Sequence, residues 1–373
     1  MSSASLTDLQ AFQELADRFA KKELLPKALE LDDYPYSGFN DTALRVAEEV
    51  GLLRLLLPES LGGSGQGMAV FCRILESLSR TDASFAAVLL VHALAQSALI
   101  QWGTAPVIDR YLSHPSHLGL LAFPAYLLPS DLPRTLAAER KGGGFILNGK
   151  VEYLGLAPIA EALILPAEVK GSGQVAFFVV DARAKGVSLT APVLSLGLRN
   201  CPVADVELAG VEVGAENLLC ANADEAYPAL AARFRPAVAA LSVGVVAGSY
   251  ETAKNYAKDR YQAGKMIVEH DMVRLMLANL AVVMESGQSL VQSMALAVDE
   301  KRPWPLSDAG LILLSELASR ATTDGVQILG GYGYMQDYGQ EKRMRDAKQI
   351  EAIFGAAPMK RLDLIGDLLR QEE

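Results

Sequence analysis

Cysteine and histidine are scarce in this sequence. Its 373 residues include three cysteines and four histidines. Cys72, Cys201 and Cys220 are too few and too scattered for a disulfide framework, and no two of them have the spacing of metal ligands. We therefore expect no metal site and a reducing, cytoplasmic environment.

Positive charge is in deficit as well. The net charge is −10 at pH 7, and the isoelectric point lies near 5.1. Because such a chain cannot neutralise a phosphate backbone overall, sequence-independent binding to nucleic acid is not expected. A local basic site for an anionic cofactor is still compatible with this charge.

Long uninterrupted apolar runs are lacking too. Residues 1–8 are polar, which predicts that they are not a signal peptide. The apolar stretches near residues 86–100 and 275–284 are too short or too interrupted to span a bilayer. We interpret them as buried helices and expect no association with a membrane.

The composition and its periodicity predict a mainly helical α+β protein. Apolar residues make up 51% of the chain, which supplies a sizeable core. Helical spacing dominates residues 1–117, short apolar runs separated by turn residues occupy 118–222, and long helices return over 223–373. These ranges are the predicted N-terminal helical domain, middle β-domain and C-terminal bundle. Within the β-domain, Asn148-Gly149 predicts a hairpin turn, because both residues tolerate φ > 0.

Two strings near the end of the chain indicate a family. Residues 326–334 read VQILGGYGY, and residues 341–348 read EKRMRDAK. The glycine pair alone is typical of a helix end, where it permits φ > 0 and a close backbone approach. Together the two strings resemble the C-terminal signature of the acyl-CoA dehydrogenase family. Strings at 57–63 and 80–84 extend the resemblance over nearly the whole chain, which implies the family's α, β, α arrangement with a C-terminal four-helix bundle.

The resemblance also implies a base that this chain lacks. The family signature continues as Tyr-Glu-Gly-Thr, where the glutamate removes the α-proton of an acyl-CoA thioester. In the same register this chain has Ile353-Phe354-Gly355-Ala356. A phenylalanine cannot accept a proton, so Phe354 removes the expected catalytic function. Glu351 is the nearest carboxylate, and we do not expect it to reach the same point.

Two further strings imply that the flavin ring has lost its contacts. The family's Thr-Glu-Pro-x-Ala-Gly-Ser-Asp corresponds to residues 124–131, where Pro124 and Pro129 replace the threonine and the glycine, and Ser130 is kept. The family's Asn-Gly-x-Lys-x-Trp-Ile-Thr-Asn corresponds to 148–156, where Gly155 replaces the hydroxyl expected near the ring. A ring without these donors is poorly placed to accept hydride.

The residues that serve a neighbouring subunit are better preserved. In the family, the diphosphate and adenine end of FAD is held partly by the adjacent subunit. Arg260 matches the arginine of the family's Arg-x-x-Phe-Gly-Lys motif, although Ala263 replaces its phenylalanine. Gln327, Gly330 and Gly331 match residues that meet the other end of the same group. By itself, Arg260 would be interpreted as a surface cation beside its acidic neighbour.

This asymmetry leads to one main hypothesis and two alternatives. The pattern resembles the non-catalytic subunit of α2β2 heterotetrameric acyl-CoA dehydrogenases that act on steroid side chains, fatty acids or other bulky acyl groups, with FAD shared with the partner subunit. The isolated chain is then expected to be inactive. A same-fold flavoenzyme with non-oxidising acyl-CoA chemistry and a cofactor-free binding or scaffold protein are the alternatives. The residues leave open whether this chain binds acyl-CoA itself.

Overall fold

The chain passes from helices to a β-sheet and back to helices. The computed structural model describes residues 6–33, 36–113, 119–302 and 307–371. The helices are α1 (Leu6–Phe19), α2 (Asp41–Glu49), α3 (Met68–Trp102), α4 (Ala105–Leu112), α5 (Ala223–Asp259), α6 (Asp271–Asp299), α7 (Ser307–Leu329), α8 (Gln340–Ile350) and α9 (Ala357–Gln371). The predicted order of helical, β and helical parts is confirmed, and the boundaries at 117 and 222 stay predictions.

Along the chain, the sheet comes between the two helical parts. Its strands are β1 (Leu120–Ala122), β2 (Leu136–Lys141), β3 (Gly144–Gly155), β4 (Ala160–Val169), β5 (Val175–Asp181), β6 (Val187–Leu189), β7 (Val203–Gly214) and β8 (Leu218–Cys220). The strand order is β6-β7-β3-β2-β4-β5-β8, and β1 pairs with β4 in parallel. The interior strand β5 is buried at six consecutive positions, which explains its continuous apolar run.

The predicted hairpin turn at Asn148-Gly149 is wrong. Both residues lie inside the twelve-residue strand β3, and the chain reverses earlier, at Gly142 and Gly143 between β2 and β3. The pairing of β3 with β7 shifts by one residue between Leu147 and Asn148, which marks a β-bulge. Gly149 has φ +130°, and Asn148 Oδ1 accepts a hydrogen bond from the Gly210 amide at 2.7 Å. The residue left without a partner is Gly210 of β7, with φ +67°, so the bulge lies on the strand opposite Asn148-Gly149.

Helices α3 and α5 form the centre of the molecule. Asp82, with φ −147° and ψ 101°, interrupts α3 with a kink. A Cβ at Gly244 of α5 would lie 2.4 Å from the Glu76 carbonyl oxygen, so only glycine permits this contact with α3. Both helices are long and apolar enough to cross a membrane, but the most apolar windows of α3 and α5 are 94% and 78% buried within the protein. Burial in the core accounts for their composition.

Candidate cofactor interface

Arg260 lies at the junction between α5 and a short hairpin. Its backbone amide donates to the Tyr256 carbonyl at 3.0 Å, and its own carbonyl accepts from the Ile267 amide at 2.8 Å. Strands β9 (Tyr261–Gln262) and β10 (Lys265–Met266) follow, joined by two residues with positive φ, Ala263 at +51° and Gly264 at +88°. This two-residue turn matches the twist of a hairpin. The Arg260 backbone is thereby fixed on both sides.

The end of α7 lies opposite Arg260. The helix ends at Leu329, and Gly330 with φ +59° turns the chain into the short 3-10 segment Gly330–Tyr334. A cavity of about 450 Å³ lies between this segment and Arg260. Its lining residues are Tyr256, Arg260, Gln262, Ile267, Ile328, Leu329, Gly330, Gly331, Tyr332 and Met335. The structure thus brings together three of the predicted site residues, Arg260, Gly330 and Gly331.

The other two predicted residues lie elsewhere. Gln327 is exposed on the last turn of α7 and does not line this cavity. Ser130 belongs to the loop before β2, where its hydroxyl donates to Asp363 Oδ2 at 2.7 Å. The assignment of both residues to a cofactor stays a prediction.

The guanidinium of Arg260 carries a charge that no carboxylate compensates. It lies over the ring of Tyr332, 5.6 Å from the ring centroid. Within the described ranges no Asp or Glu oxygen comes within 4 Å of it, and the adjacent Asp259 does not pair with it. Arginine remains protonated at any physiological pH and presents a fork of donors that suits phosphate. The cavity is therefore lined by a fixed positive charge.

Gly331 has no role in the chain's own packing. A Cβ built on Gly331 would meet no atom within 4 Å, and its φ lies outside the left-handed region. Gly333, two residues later, differs, because a Cβ there would lie 2.3 Å from the Val326 carbonyl oxygen. Gly333 is needed by the fold, whereas Gly331 leaves its surface open to a group from outside the chain.

The segment around Phe354 is closed by contacts within the chain. Phe354 has φ +63°, is 3% exposed and donates its backbone amide to the Ala125 carbonyl at 2.8 Å. Its ring lies 6.4 Å from that of Tyr227, whose hydroxyl donates to the Pro124 carbonyl at 2.9 Å. At Gly355, a Cβ would lie 2.7 Å from Leu128 Cδ1. The base position therefore packs directly on the loop that replaces the flavin-binding string.

Charged side chains surround a second cavity beside Phe354. This cavity of about 430 Å³ includes Ser130, Arg235, Asp308 and Lys360 among its lining residues. Arg235 forms an ion pair with Asp308, while burial is the main cause that raises the pKa of that carboxyl. Burial also lowers the pKa of Lys360 to about 8, and its ammonium donates to the Glu351 carbonyl at 2.8 Å. Both acidic and basic side chains therefore line the cavity beside Phe354.

Glu351 and Gly155 offer no substitute for the missing groups. The Glu351 carboxylate pairs with Lys348 at 2.7 Å, accepts from Ser319 at 3.1 Å, and does not line the cavity beside Phe354. A Cβ at Gly155 would lie 3.2 Å from the Phe123 carbonyl oxygen and 3.3 Å from Val91. A hydroxyl side chain at this position would be crowded in the present backbone.

Three tyrosines near Arg260 were not singled out from the sequence. The rings of Tyr256, Tyr332 and Tyr338 lie 5.5–6.1 Å apart, from centroid to centroid. Tyr256 precedes Arg260 by one helical turn, Tyr332 lies within the glycine-rich segment Gly330–Tyr334, and Tyr338 follows it. The four-residue spacing of Tyr256 and Arg260, which places both on one helix face, could have indicated that a tyrosine lies beside Arg260.

Comparison with known proteins gives a consistent picture. Residues 7–114 match the acyl-CoA dehydrogenase N-terminal domain, and residues 229–368 match the acyl-CoA dehydrogenase C-terminal domain. A cyclohex-1-ene-1-carbonyl-CoA dehydrogenase of Geobacter metallireducens is 30% identical over 92% of this chain and 93% of its own length. The caffeyl-CoA reductase-Etf complex subunit CarC of Acetobacterium woodii is 30% identical over 96% of this chain and 97% of its own length.

A solved structure agrees with these relatives. Butyryl-CoA dehydrogenase from Megasphaera elsdenii superimposes with a TM-score of 0.90 at 24% identity, over 99% of this chain and all of that one. This likeness confirms the predicted fold, and the relatives at 30% identity extend the agreement to sequence. The chain belongs to the acyl-CoA dehydrogenase family.

Proposed function

We propose that this chain is the non-catalytic subunit of an acyl-CoA dehydrogenase assembly, in which it completes the FAD site of a partner subunit. The partner subunit would carry out the α,β-dehydrogenation of an acyl-CoA thioester, in an α2β2 heterotetramer. One contrast carries the proposal: Arg260 lines its cavity with no carboxylate partner among the described residues, whereas the backbone of Phe354 is bonded to the loop that replaces the flavin-binding string.

The residues around Phe354 do not fit a flavin ring. Pro124 and Pro129 have no amide hydrogen to donate. The hydrogen bond from Phe354 to Ala125 joins the base segment to the loop on which a ring would have to lie. The Ser130 hydroxyl donates to the Asp363 carboxylate at 2.7 Å, so this donor is already engaged within the chain. We therefore derive no redox step within this chain.

The residues around Arg260 do fit the anionic end of the cofactor. Charge-assisted hydrogen bonds to phosphate are roughly twice as strong as neutral ones, and among the described residues no carboxylate pairs with Arg260. Gly331 leaves its surface free for close approach. When bound in the partner, FAD supplies the hydride acceptor. This chain's part is to neutralise the charge of the diphosphate and to exclude water from it.

Substitution of Arg260 tests the proposal directly. The chain is coexpressed with candidate acyl-CoA dehydrogenase subunits from the same organism, and the purified complex is compared with its Arg260→Ala variant. Losing a charge-assisted contact to phosphate costs roughly 1.5–3 kcal/mol, which corresponds to about a ten- to hundredfold loss of FAD affinity. We expect an intact assembly that loses flavin on gel filtration and recovers it with excess FAD. Arg18→Ala is the matched control, because Arg18 is an exposed arginine on α1.

Three outcomes would contradict the proposal. An unchanged dissociation constant for FAD in Arg260→Ala would make Arg260 a surface cation. One FAD per subunit in the isolated chain would favour the non-oxidising flavoenzyme. Failure to assemble with any flavin-containing subunit would favour a scaffold protein.

An electron-transferring flavoprotein is the second partner to test. Among the relatives, CarC is a subunit of a complex that includes Etf. We propose that the assembled dehydrogenase, rather than this chain alone, passes electrons to such a protein. Reduction of an electron-transferring flavoprotein by the complex, and not by the isolated chain, is the expected result.

A further inference from the structure

The Tyr332 ring provides the one attractive contact described for the Arg260 guanidinium. The guanidinium carbon lies 5.6 Å from the ring centroid, and no carboxylate within the described ranges comes within 4 Å. An arginine side chain without a partner samples many rotamers, and ordering it opposes ligand binding. The contact with Tyr332 therefore selects the orientation of the charge.

Tyr332 is itself held by the fold. The Met335 amide donates to the Tyr332 carbonyl at 3.1 Å. Its ring packs against Tyr256 at 6.1 Å and Tyr338 at 5.5 Å, between centroids. Tyr332 remains 44% exposed, so its ring borders the cavity while it contacts the other two tyrosines. A ring fixed on two sides can serve as a rigid surface for a mobile cation.

We propose that Tyr332 is a positioning residue, which holds the Arg260 guanidinium towards the mouth of the cavity so that it meets the phosphates of the partner's FAD. This inference rests on the proposed function and adds a named residue to it. The contact needed is the aromatic face, since no hydrogen bond of the Tyr332 hydroxyl is described. Tyr332→Phe should therefore keep the function, and removal of the ring should not.

The test is a double-mutant cycle in the coexpressed complex. The apo-complex is titrated with FAD, and the dissociation constant is measured by flavin fluorescence for Tyr332→Phe, Tyr332→Leu, Arg260→Ala and the double variant Arg260→Ala/Tyr332→Leu. We expect Tyr332→Leu to weaken binding about two- to fivefold, which is about 0.5–1 kcal/mol. Tyr332→Phe should bind as wild type does. The double variant should bind no more weakly than Arg260→Ala, because Tyr332 acts only through Arg260.

Tyr334→Leu is the control for removal of a tyrosine from this segment. Tyr334 is 71% exposed and does not line the cavity. Its substitution should leave FAD binding unchanged. If Tyr332→Leu does not fold, as judged by its melting curve, Tyr332→Gln provides a second variant without the ring.

The outcomes separate this inference from the proposed function. Weaker binding in Arg260→Ala with unchanged binding in the ring-free Tyr332 variants would overturn the positioning role alone. Additive losses in the double variant would also overturn it, because Tyr332 would then contact the cofactor directly. Unchanged binding in Arg260→Ala would overturn both.

Discussion

Replacing Gly331 by alanine should stabilise this chain and weaken cofactor binding in the assembly. A Cβ at Gly331 meets nothing within 4 Å and requires no left-handed backbone. Alanine at such a site stabilises a protein by about 0.4–1 kcal/mol, chiefly because the unfolded chain has less freedom to lose. If the partner's FAD approaches the Gly331 backbone, the added methyl group overpacks that contact. Overpacking costs about 1–3 kcal/mol, or roughly five- to 150-fold in affinity.

Gly333 offers a matched comparison in the same short segment. Its Cβ would lie 2.3 Å from the Val326 carbonyl oxygen and 3.0 Å from the Val326 Cα, both of them backbone atoms. Gly333→Ala should therefore destabilise the isolated chain by about 1–3 kcal/mol. Thermal denaturation of the two isolated variants gives the stability effect, and FAD titration of the Gly331→Ala complex gives the affinity. If the Gly331→Ala complex is as stable as wild type and binds FAD with unchanged affinity, the partner's FAD does not approach the Gly331 backbone closely.

Three further outcomes are expected. The chain expressed alone should purify without stoichiometric flavin, as judged by its absorbance at about 450 nm. With saturated acyl-CoA thioesters it should reduce a dye acceptor no faster than a control without protein. Phe354→Glu should not restore activity and should melt at a lower temperature, because Phe354 is 3% exposed and removing a buried aromatic ring costs about 3–5 kcal/mol; turnover in this variant would show that a flavin ring binds here. Burial lowers the pKa of His92 to about 3, and its Nδ1 accepts from the Leu121 amide at 3.2 Å. The unfolded histidine gains a proton near pH 6.5 and the folded one does not, so stability should fall by about 2 kcal/mol between pH 7 and pH 5, and His92→Gln should flatten this part of the pH profile of chemical denaturation.

The sequence was a good guide to what depends on local periodicity. The long helices α5, α6 and α7 lie within the range 223–373, where helical spacing predicts long helices. The turn at Asn148-Gly149 was not correctly predicted, because asparagine and glycine also occur within a strand, here opposite the bulge at Gly210 of β7. Local signals do not distinguish the two cases.

The candidate site was only partly accessible from sequence. Arg260 and Gly331 were paired through the family resemblance, since no periodicity relates positions so far apart. The contact of Arg260 with Tyr332 and the bond from Ser130 to Asp363 depend on side-chain placement across separate elements. The hydrogen bond between Phe354 and Ala125 likewise joins two distant segments through their backbones, which carry no residue signature.

The bond between Phe354 and Ala125 has a consequence for stoichiometry. Each copy of this chain brings a cavity at Arg260 and a Phe354 backbone that is bonded to Ala125. On the proposed function, a pair of identical copies would offer two diphosphate ends and no place for a ring, so it would carry no flavin. A pair of this chain with the partner subunit would hold one FAD, whose ring lies in the partner and whose diphosphate meets Arg260 of this chain. The corresponding diphosphate cavity of the partner would then stay empty, because this chain holds no flavin ring. The measured ratio of flavin to protein would then report the number of contacts between this chain and the partner subunit, and not the number of chains.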